Sequence, residues 1–426
     1  MQALTLLTFV AVTCCSYLTE LHVLPKASRF LPEVLSGLIG IRVILNGMGQ
    51  RFRDVAPKYW LLFASITFMI FCGILSNGVG AGPQIGGLRY SLRALPLFFL
   101  PAVVTFTEAQ LRQQLQLLLA ISIIQLPLAG YQRLTIFQEG RFTGDPVFGT
   151  LMLSGVMSLF QIGVVCTLTG LFVRRRITLG RYVMLFLLVL LPTTINETKV
   201  TLLLLPIGLL ATVIIGAPPG TKQRVALGSV LLMVAFGALF VPIYDYFNTR
   251  YNPYPVTLGD FFGNSKKVET YMENGAGVGS RKEAGRVDAI EVPLERLSRD
   301  PVKLVFGLGI GNASNSNLGP QFTGEYYGLY GRYTIESSTA AFLLEMGVGG
   351  VLLVLVFMAL IFGDSLAVAR EGTGLTSALA VGWAGITLVT AISLFYLTLH
   401  TTESLSYLFF YFSGLVAAAR MRLGTT

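Results

Sequence analysis

The stretch 279–311, GSRKEAGRVDAIEVPLERLSRDPVKLVFGLGIG, is polar, carries six Lys/Arg residues (Arg281, Lys282, Arg286, Arg296, Arg299 and Lys303), and interrupts a chain that otherwise reads as bilayer-spanning helices. It lies inside one long water-soluble excursion from Tyr246 to Ile335. A chain that is 53% hydrophobic has little reason to keep such a segment unless chemistry or binding occurs on that side of the membrane. Function is therefore expected there.

The rest of the composition sets the class. Of the 426 residues only 12% are charged, against about a quarter in soluble domains, and the mean hydropathy is +0.68. This predicts a polytopic membrane protein. The net charge of +9 could suggest nucleic acid, but many of the cations sit in short loops beside apolar runs, where they orient helices, so nucleic-acid binding is not expected. Cys14, Cys15, Cys72 and Cys166 all fall inside apolar segments and offer no disulfide framework or metal knuckle. His22 and His400 each stand alone in loops, so no metal site is expected. The first residues run straight into an apolar helix without a basic leader or small-residue cleavage site, and read as a retained first span.

Apolar runs of roughly 17 to 25 residues match one bilayer crossing. Twelve are legible, near 3–19, 31–47, 59–77, 89–106, 111–131, 148–172, 179–196, 199–217, 225–244, 338–362, 376–397 and 404–419. Residues 1–245 would hold spans one to nine, 246–337 the loop, and 338–426 spans ten to twelve. Threading these spans puts Arg51/Arg53/Lys58, Arg174/Arg175/Arg176, Lys222/Arg224, Arg370 and Arg420/Arg422 on one side, which the positive-inside rule makes cytoplasmic. Both termini then lie in the cytoplasm and the long loop lies outside it, in the periplasm of a bacterium whose inner membrane holds the chain. No internal repeat appears, which weighs against a transporter built from duplicated bundles.

Within the loop, Arg286 to Arg299 places Val287, Ile290, Leu294 and Leu297 at helical spacing, with Pro293 expected to kink the helix. An amphipathic helix on the outer face of the bundle is predicted. The following GLGIGNASNSNLG (307–319) reads as a loop. It has the look of a phosphate cradle, but no GK[ST] follows, which excludes a nucleotide P-loop.

Ionisable groups near membrane depth are costly and are functional candidates by default. Arg89 and Arg93, at i and i+4, would share one face at the start of the fourth span, either snorkelling to headgroups or binding an anion. Glu197 and Lys199 sit at the turn between the seventh and eighth spans. Arg281 either binds or lies on a solvated loop face. Several cations converging near the interface suit a diphosphate, since Arg grips phosphate oxygens in a bidentate fork. Glu336 precedes Ser337, Ser338 and Thr339, so it is either the acidic start of a helix or a general base for a sugar hydroxyl. Glu345 reads as a packed or hydrogen-bonded core residue.

From Gly285 through GRVDAIEVPLERLSRDPVKLVFGLGIG and on to ESSTAAFLLEMGVGGVLLVL, the chain resembles the O-antigen ligase and O-antigen/exopolysaccharide polymerase superfamily of lipid-linked glycan transferases. In that superfamily an Arg opens a loop helix, a G-x-G-x-G follows, and a His-Asn pair starts a helix ending in Glu-x-Gly. Arg286 takes the first place, Gly307/Gly309/Gly311 the second, and Glu345-Met346-Gly347 the last. Glu336 stands where the His usually stands, a departure that leaves the identity of the base open. NETKVTLLLLP (196–206) is similar to the family's Ser-Arg turn, with Lys199 in the Arg position, and GRFTGDPVFGTLM (140–152) to a short loop before its sixth span.

The resemblance covers the last two thirds of the chain. It implies an all-α, GT-C-like membrane fold of about twelve transmembrane helices with one long periplasmic loop. It also implies a metal-independent, cofactor-free, inverting glycosyl transfer from a glycan carried on undecaprenyl diphosphate. The acceptor would be another lipid-linked glycan in a polymerase, or lipid A core in a ligase; the missing His favours the polymerase. Arg286, Lys199 and Glu336 would carry the chemistry, with Arg89, Arg93 and Arg281 helping to hold the diphosphate. Membrane lipids, a flippase and a chain-length regulator are the partners implied. From other classes, a polysaccharide or lipid-linked oligosaccharide transporter and a non-catalytic scaffold of an export complex remain as alternatives.

Overall fold

The computed structural model describes residues 1–50, 52–136, 146–196, 198–251, 255–273, 285–399 and 401–424. Among them every regular element is helical. In chain order the α-helices are α1 (Gln2–Glu20), α2 (Leu31–Gln50), α3 (Pro57–Asn77), α4 (Ala81–Leu92), α5 (Leu95–Val103), α6 (Glu108–Tyr131), α7 (Ser154–Val173), α8 (Leu179–Ile195), α9 (Val200–Gly216) and α10 (Lys222–Tyr251). Five short helices follow: α11 (Leu258–Gly263), α12 (Ser265–Glu273), α13 (Asp288–Leu297), α14 (Pro301–Phe306) and α15 (Tyr327–Thr334). The chain then returns to the bundle as α16 (Ser338–Glu371), α17 (Gly374–Tyr396) and α18 (Glu403–Leu423).

Among the described residues eight helices, α1, α2, α3, α6, α7, α10, α16 and α17, are long and apolar enough to cross a membrane. With no water in the bilayer core, a spanning segment must satisfy its own backbone, which a helix does. The apolar α8 and α9 are shorter, at 17 residues each. The expected single span 89–106 is instead two short helices. Pro96 lacks an N–H and its ring clashes with the carbonyl four residues back, so the helix cannot continue through Arg93 and Ala94. The Arg93 carbonyl released there accepts a hydrogen bond from the Ser36 hydroxyl on α2. Arg89 and Arg93 therefore mark the end of one helix and the break after it, not the start of a span.

The bundle is built around α7 and α17, which are buried over most of their length, whereas α3 and α10 expose theirs. On those outer helices the exposed residues are apolar, for example Leu61 at 71% and Val234 at 63%, the pattern of a surface that meets lipid. Glycines bring the central helices together. A Cβ on Gly382 would lie 2.6 Å from the Cys166 carbonyl oxygen, and one on Gly170 2.3 Å from that of Ala378, so α7 and α17 touch backbone to backbone. At α6 the chain turns into helix through a capping box: Thr107 Oγ1 accepts from the Gln110 N–H and Gln110 Oε1 from the Thr107 N–H.

The predicted loop helix is present but shorter and rotated. It runs Asp288–Leu297 and buries Ala289, Pro293 and Leu297, while Leu294 is exposed. Pro293 sits on the buried face, and the helix packs against α15 and the first turns of α16 through a cluster that includes Tyr333, Ala340 and Leu344. Asp300 then caps α14, accepting from the N–H groups of Val302 and Lys303, with Pro301 at the first helical position.

Gly382→Ala forces α17 away from α7 and should lower stability by about 1–3 kcal/mol. Gly363→Ala on α16, where a Cβ would meet nothing within 4 Å, should be neutral or stabilising within about 1 kcal/mol. Thermal unfolding of the two purified variants in detergent distinguishes them, and equal losses would mean that the α7–α17 contact is not tight.

Candidate functional site

The glycine-rich segment 307–311 is the hinge on which the loop meets the bundle. Gly307, Gly309 and Gly311 all have positive φ (72°, 89° and 76°), as does Gly347 (φ 67°), where α16 is broken into two helices. A Cβ on Gly307 would lie 2.6 Å from backbone atoms of Glu345, Met346 and Gly347, and one on Gly311 2.0 Å from the Pro83 carbonyl oxygen. No other residue combines that backbone with that space. The Leu308 N–H donates to the Leu344 carbonyl at 2.7 Å, and Asn77 Nδ2 to the Gly307 carbonyl at 3.0 Å. The segment fills the break in α16, a use unrelated to a phosphate cradle.

This seating brings Arg286 to Glu336. Arg286 occupies the turn before α13, and Glu336 the two residues before α16, which is capped by Ser337 accepting from the Ala340 N–H. Arg286 Nη1 lies 2.5 Å from Glu336 Oε2 and also donates to the Glu336 carbonyl; the guanidinium stacks 4.9 Å from the Tyr396 ring centroid. Both side chains are largely buried, at 20% and 10% exposed. At the same corner the backbone N–H and the hydroxyl of Ser338 both donate to the Leu397 carbonyl at 2.9 Å.

Lys199 belongs to the same end of the bundle. Its turn is held by Asn196, whose Nδ2 donates to the Ser154 carbonyl and the Ser158 hydroxyl. A Cβ on the adjacent Gly155 would lie 2.6 Å from Leu397, the residue that receives Ser338. Lys199 Nζ sits 5.4 Å from the ring centroids of both Tyr244 and Phe261. Arg133, which the sequence reading did not single out, joins it. That guanidinium is buried, donates to the Phe247 carbonyl at 2.9 Å and stacks on Phe247 and Tyr251. Tyr244 and Tyr251 lie seven residues apart on α10, about 10 Å along the axis, so Arg133 and Lys199 share one stretch of that helix. A cation at the end of an apolar run is the signal that could have flagged Arg133.

Arg89 and Arg93 have carboxylate partners instead. Arg89 pairs with Glu33 at 2.6 Å; Arg93 pairs with Glu403 at 2.9 Å and donates to the Thr401 carbonyl at 2.6 Å. The four charges cancel, so the group presents no excess positive field, and its evident work is to tie α2, α4 and the α17–α18 connection together. Arg281 and Glu197, together with His400 and residues 140–145 of the GRFTGDPVFGTLM stretch, lie outside the described residues. Among the described residues no group of three or more His, Cys, Asp or Glu side chains is placed to hold a metal ion.

Between α3, α6, α7, α16, α17 and α18 runs a mostly apolar cavity of about 700 Å³, with walls that include Ile66, Leu115, Phe160, Trp383 and Phe409. At its loop end it is polar, with Tyr90, Ser91, Ser314, Glu345, Thr401 and Ser406; at the opposite end it meets Arg112, Arg175, Arg176 and Arg181. Glu345, expected as core, lies on this wall, whereas Glu336 does not.

Glu403→Leu leaves Arg93, only 3% exposed, without its closest carboxylate. It should cost about 3–5 kcal/mol, seen as a lower unfolding temperature in detergent. Glu20→Leu removes the exposed partner of Arg29 and should cost no more than about 1 kcal/mol. Set against known proteins, the chain matches no protein-family model and no curated protein.

Proposed function

We propose that this chain is an integral membrane glycosyltransferase that joins repeat units carried on undecaprenyl diphosphate, by an inverting, metal-independent polymerase reaction. In this reading it crosses the bacterial inner membrane twelve times. With α4 held at the loop end, the chain from Arg93 through α5 to Thr107 makes the fourth crossing, both termini face the cytoplasm, and residues 246–337 lie in the periplasm. Two features support this threading. The ion pairs Arg422–Asp54, Arg176–Glu108 and Arg420–Glu371 gather at the end it makes cytoplasmic, and the loop helices at the other.

The observation that carries the reading is the meeting of Arg286 and Glu336. Separated by 50 residues, the loop Arg and the carboxylate that replaces the superfamily's His are in contact at the start of α16, at the end of the bundle that also holds Lys199 and Arg133. Three cations seated over aromatic rings at one end of the bundle suit a diphosphate leaving group, whose negative charge grows as the glycosidic bond breaks. Glu336 fixes the Arg286 guanidinium, and the apolar cavity offers room for hydrocarbon. In a ligase the same donor site would serve a lipid A core acceptor.

Arg286→Ala should lower the transfer rate by on the order of 100-fold or more, by analogy with removal of one charge-stabilising donor. Arg286→Lys should recover part of it, because it restores charge without the bidentate fork. The measurement is polymer length on a gel from complemented cells, alongside turnover of lipid-linked repeats by purified protein in vesicles. Wild-type polymer from Arg286→Ala would end the assignment. Bare lipid A core in a null strain would point to a ligase, and protein that moves the lipid-linked repeat between leaflets without joining repeats would point to a transporter.

A further inference from the structure

Three carboxylates on or near α16 are almost wholly buried: Glu336, Glu345 and Asp364. Two of them are matched. Asp364 receives Lys58 and, at 2.6 Å, the Tyr59 hydroxyl, and Glu336 receives Arg286. Glu345 faces no cation among the described residues. Its surroundings are the Ser314 hydroxyl and the backbone N–H groups of Gly311 and Ala313, and its Oε1 has no hydrogen-bond partner among them. At 7% exposure the residue meets little bulk water.

An unmatched acid at membrane depth is expensive, so its retention points to a ligand. Glu345 stands two residues before the break at Gly347, where the backbone of Gly307 packs closely against its own. It opens onto the cavity at the end where Tyr90, Ser91, Ser314, Thr401 and Ser406 supply hydroxyl groups. A carboxyl oxygen without a hydrogen-bond partner on a cavity wall that also carries several hydroxyls suits a polyhydroxylated ligand. Trp383 and Phe409 further along the cavity offer apolar faces to a sugar ring.

We propose that the polar end of this cavity is the site for the acceptor sugar, and that Glu345 Oε1 receives the proton of the attacking hydroxyl. This rests on the glycosyltransferase reading and adds the acceptor subsite to it. The acceptor oxygen forms its bond to the anomeric carbon of the donor as the bond from that carbon to the diphosphate oxygen breaks. The electron pair of the broken bond leaves with the diphosphate, faced by Arg286 and Lys199, and the hydroxyl proton passes to Glu345, which becomes a neutral acid until solvent takes the proton. Glu336 and Glu345 lie nine positions apart on mainly helical chain, about 13 Å, the span that the donor sugar and its diphosphate must bridge in this proposal. Glu336, paired with Arg286 and off the cavity wall, is the positioning residue, and Glu345 the catalytic one.

The test uses the full chain in vesicles with undecaprenyl-diphosphate-linked repeat units purified from cells that make the polymer. Glu345→Gln keeps size and hydrogen-bonding capacity but is a far weaker proton acceptor. It should lower the transfer rate by on the order of 100- to 10,000-fold, while retaining the wild-type unfolding temperature and donor binding; Glu345→Asp should recover part of the rate. In parallel, dicyclohexylcarbodiimide, which modifies carboxyl groups in apolar surroundings, should label Glu345 and not Glu336 by peptide mass spectrometry, with the repeat units slowing the labelling several-fold. Transfer by Glu345→Gln at the wild-type rate, or labelling of Glu345 that the repeat units do not slow, overturns the proposal. Wild-type protein that never joins repeats sinks the glycosyltransferase reading instead, and protection of Glu345 by the repeat units then decides the sugar site independently.

Discussion

The contact on which the rest of the molecule depends is the one between two stretches of backbone, Gly307–Gly311 and the turn at Gly347. Helical chain inside a bilayer satisfies its own hydrogen bonds, and a break in it must be covered by protein or lie against a cavity. Here the break in α16 is covered by an irregular segment from outside the bundle, and the Leu308 N–H supplies the Leu344 carbonyl that the interrupted helix leaves open. Because the approach is backbone to backbone, it fixes positions more tightly than side-chain packing could. Arg286 reaches Glu336 and Glu345 faces the cavity as consequences of this single docking.

Electrostatics follows the same logic of partners in a low dielectric. At the loop end Arg89, Arg93, Glu33 and Glu403 form a neutral group; at the opposite end Asp364 is matched by Lys58 and Asp54 by Arg422. Buried pairs of this kind stabilise little in net, yet they are costly to break, so they fix which helices sit side by side. Arg133, Lys199 and Arg286 also sit over aromatic rings at the loop end, and Arg286 is at the same time paired with Glu336.

How much of this was legible from the chain varies residue by residue. The α13 helix could be read from the RVDAIEVPLERLSR stretch, because helical spacing is a local signal. The face it buries could not: Ala289, Pro293 and Leu297 pack inward while Leu294 is exposed, since the partner surface on α15 and α16 decides the rotation. The break between α4 and α5 follows from Pro96, yet the apolar run from Ala94 onward carries no information on where a helix starts or stops. Arg89 and Arg93 looked available only because Glu33 and Glu403 lie 56 and 310 residues from the groups they bond.

The sequence by itself determined that this chain carries long apolar segments suited to a membrane and a polar stretch late in its length, since hydropathy and charge are properties of each segment on its own. It also marked the glycines of 307–311 and 347 as exceptional. Only the tertiary structure decided what those glycines do, which cations are cancelled, and that Glu345 rather than Glu336 faces the interior space. The physical reason is that pairing and burial of charge depend on distances between segments far apart in the chain, and those distances are set by how helices dock, not by the order of residues within them.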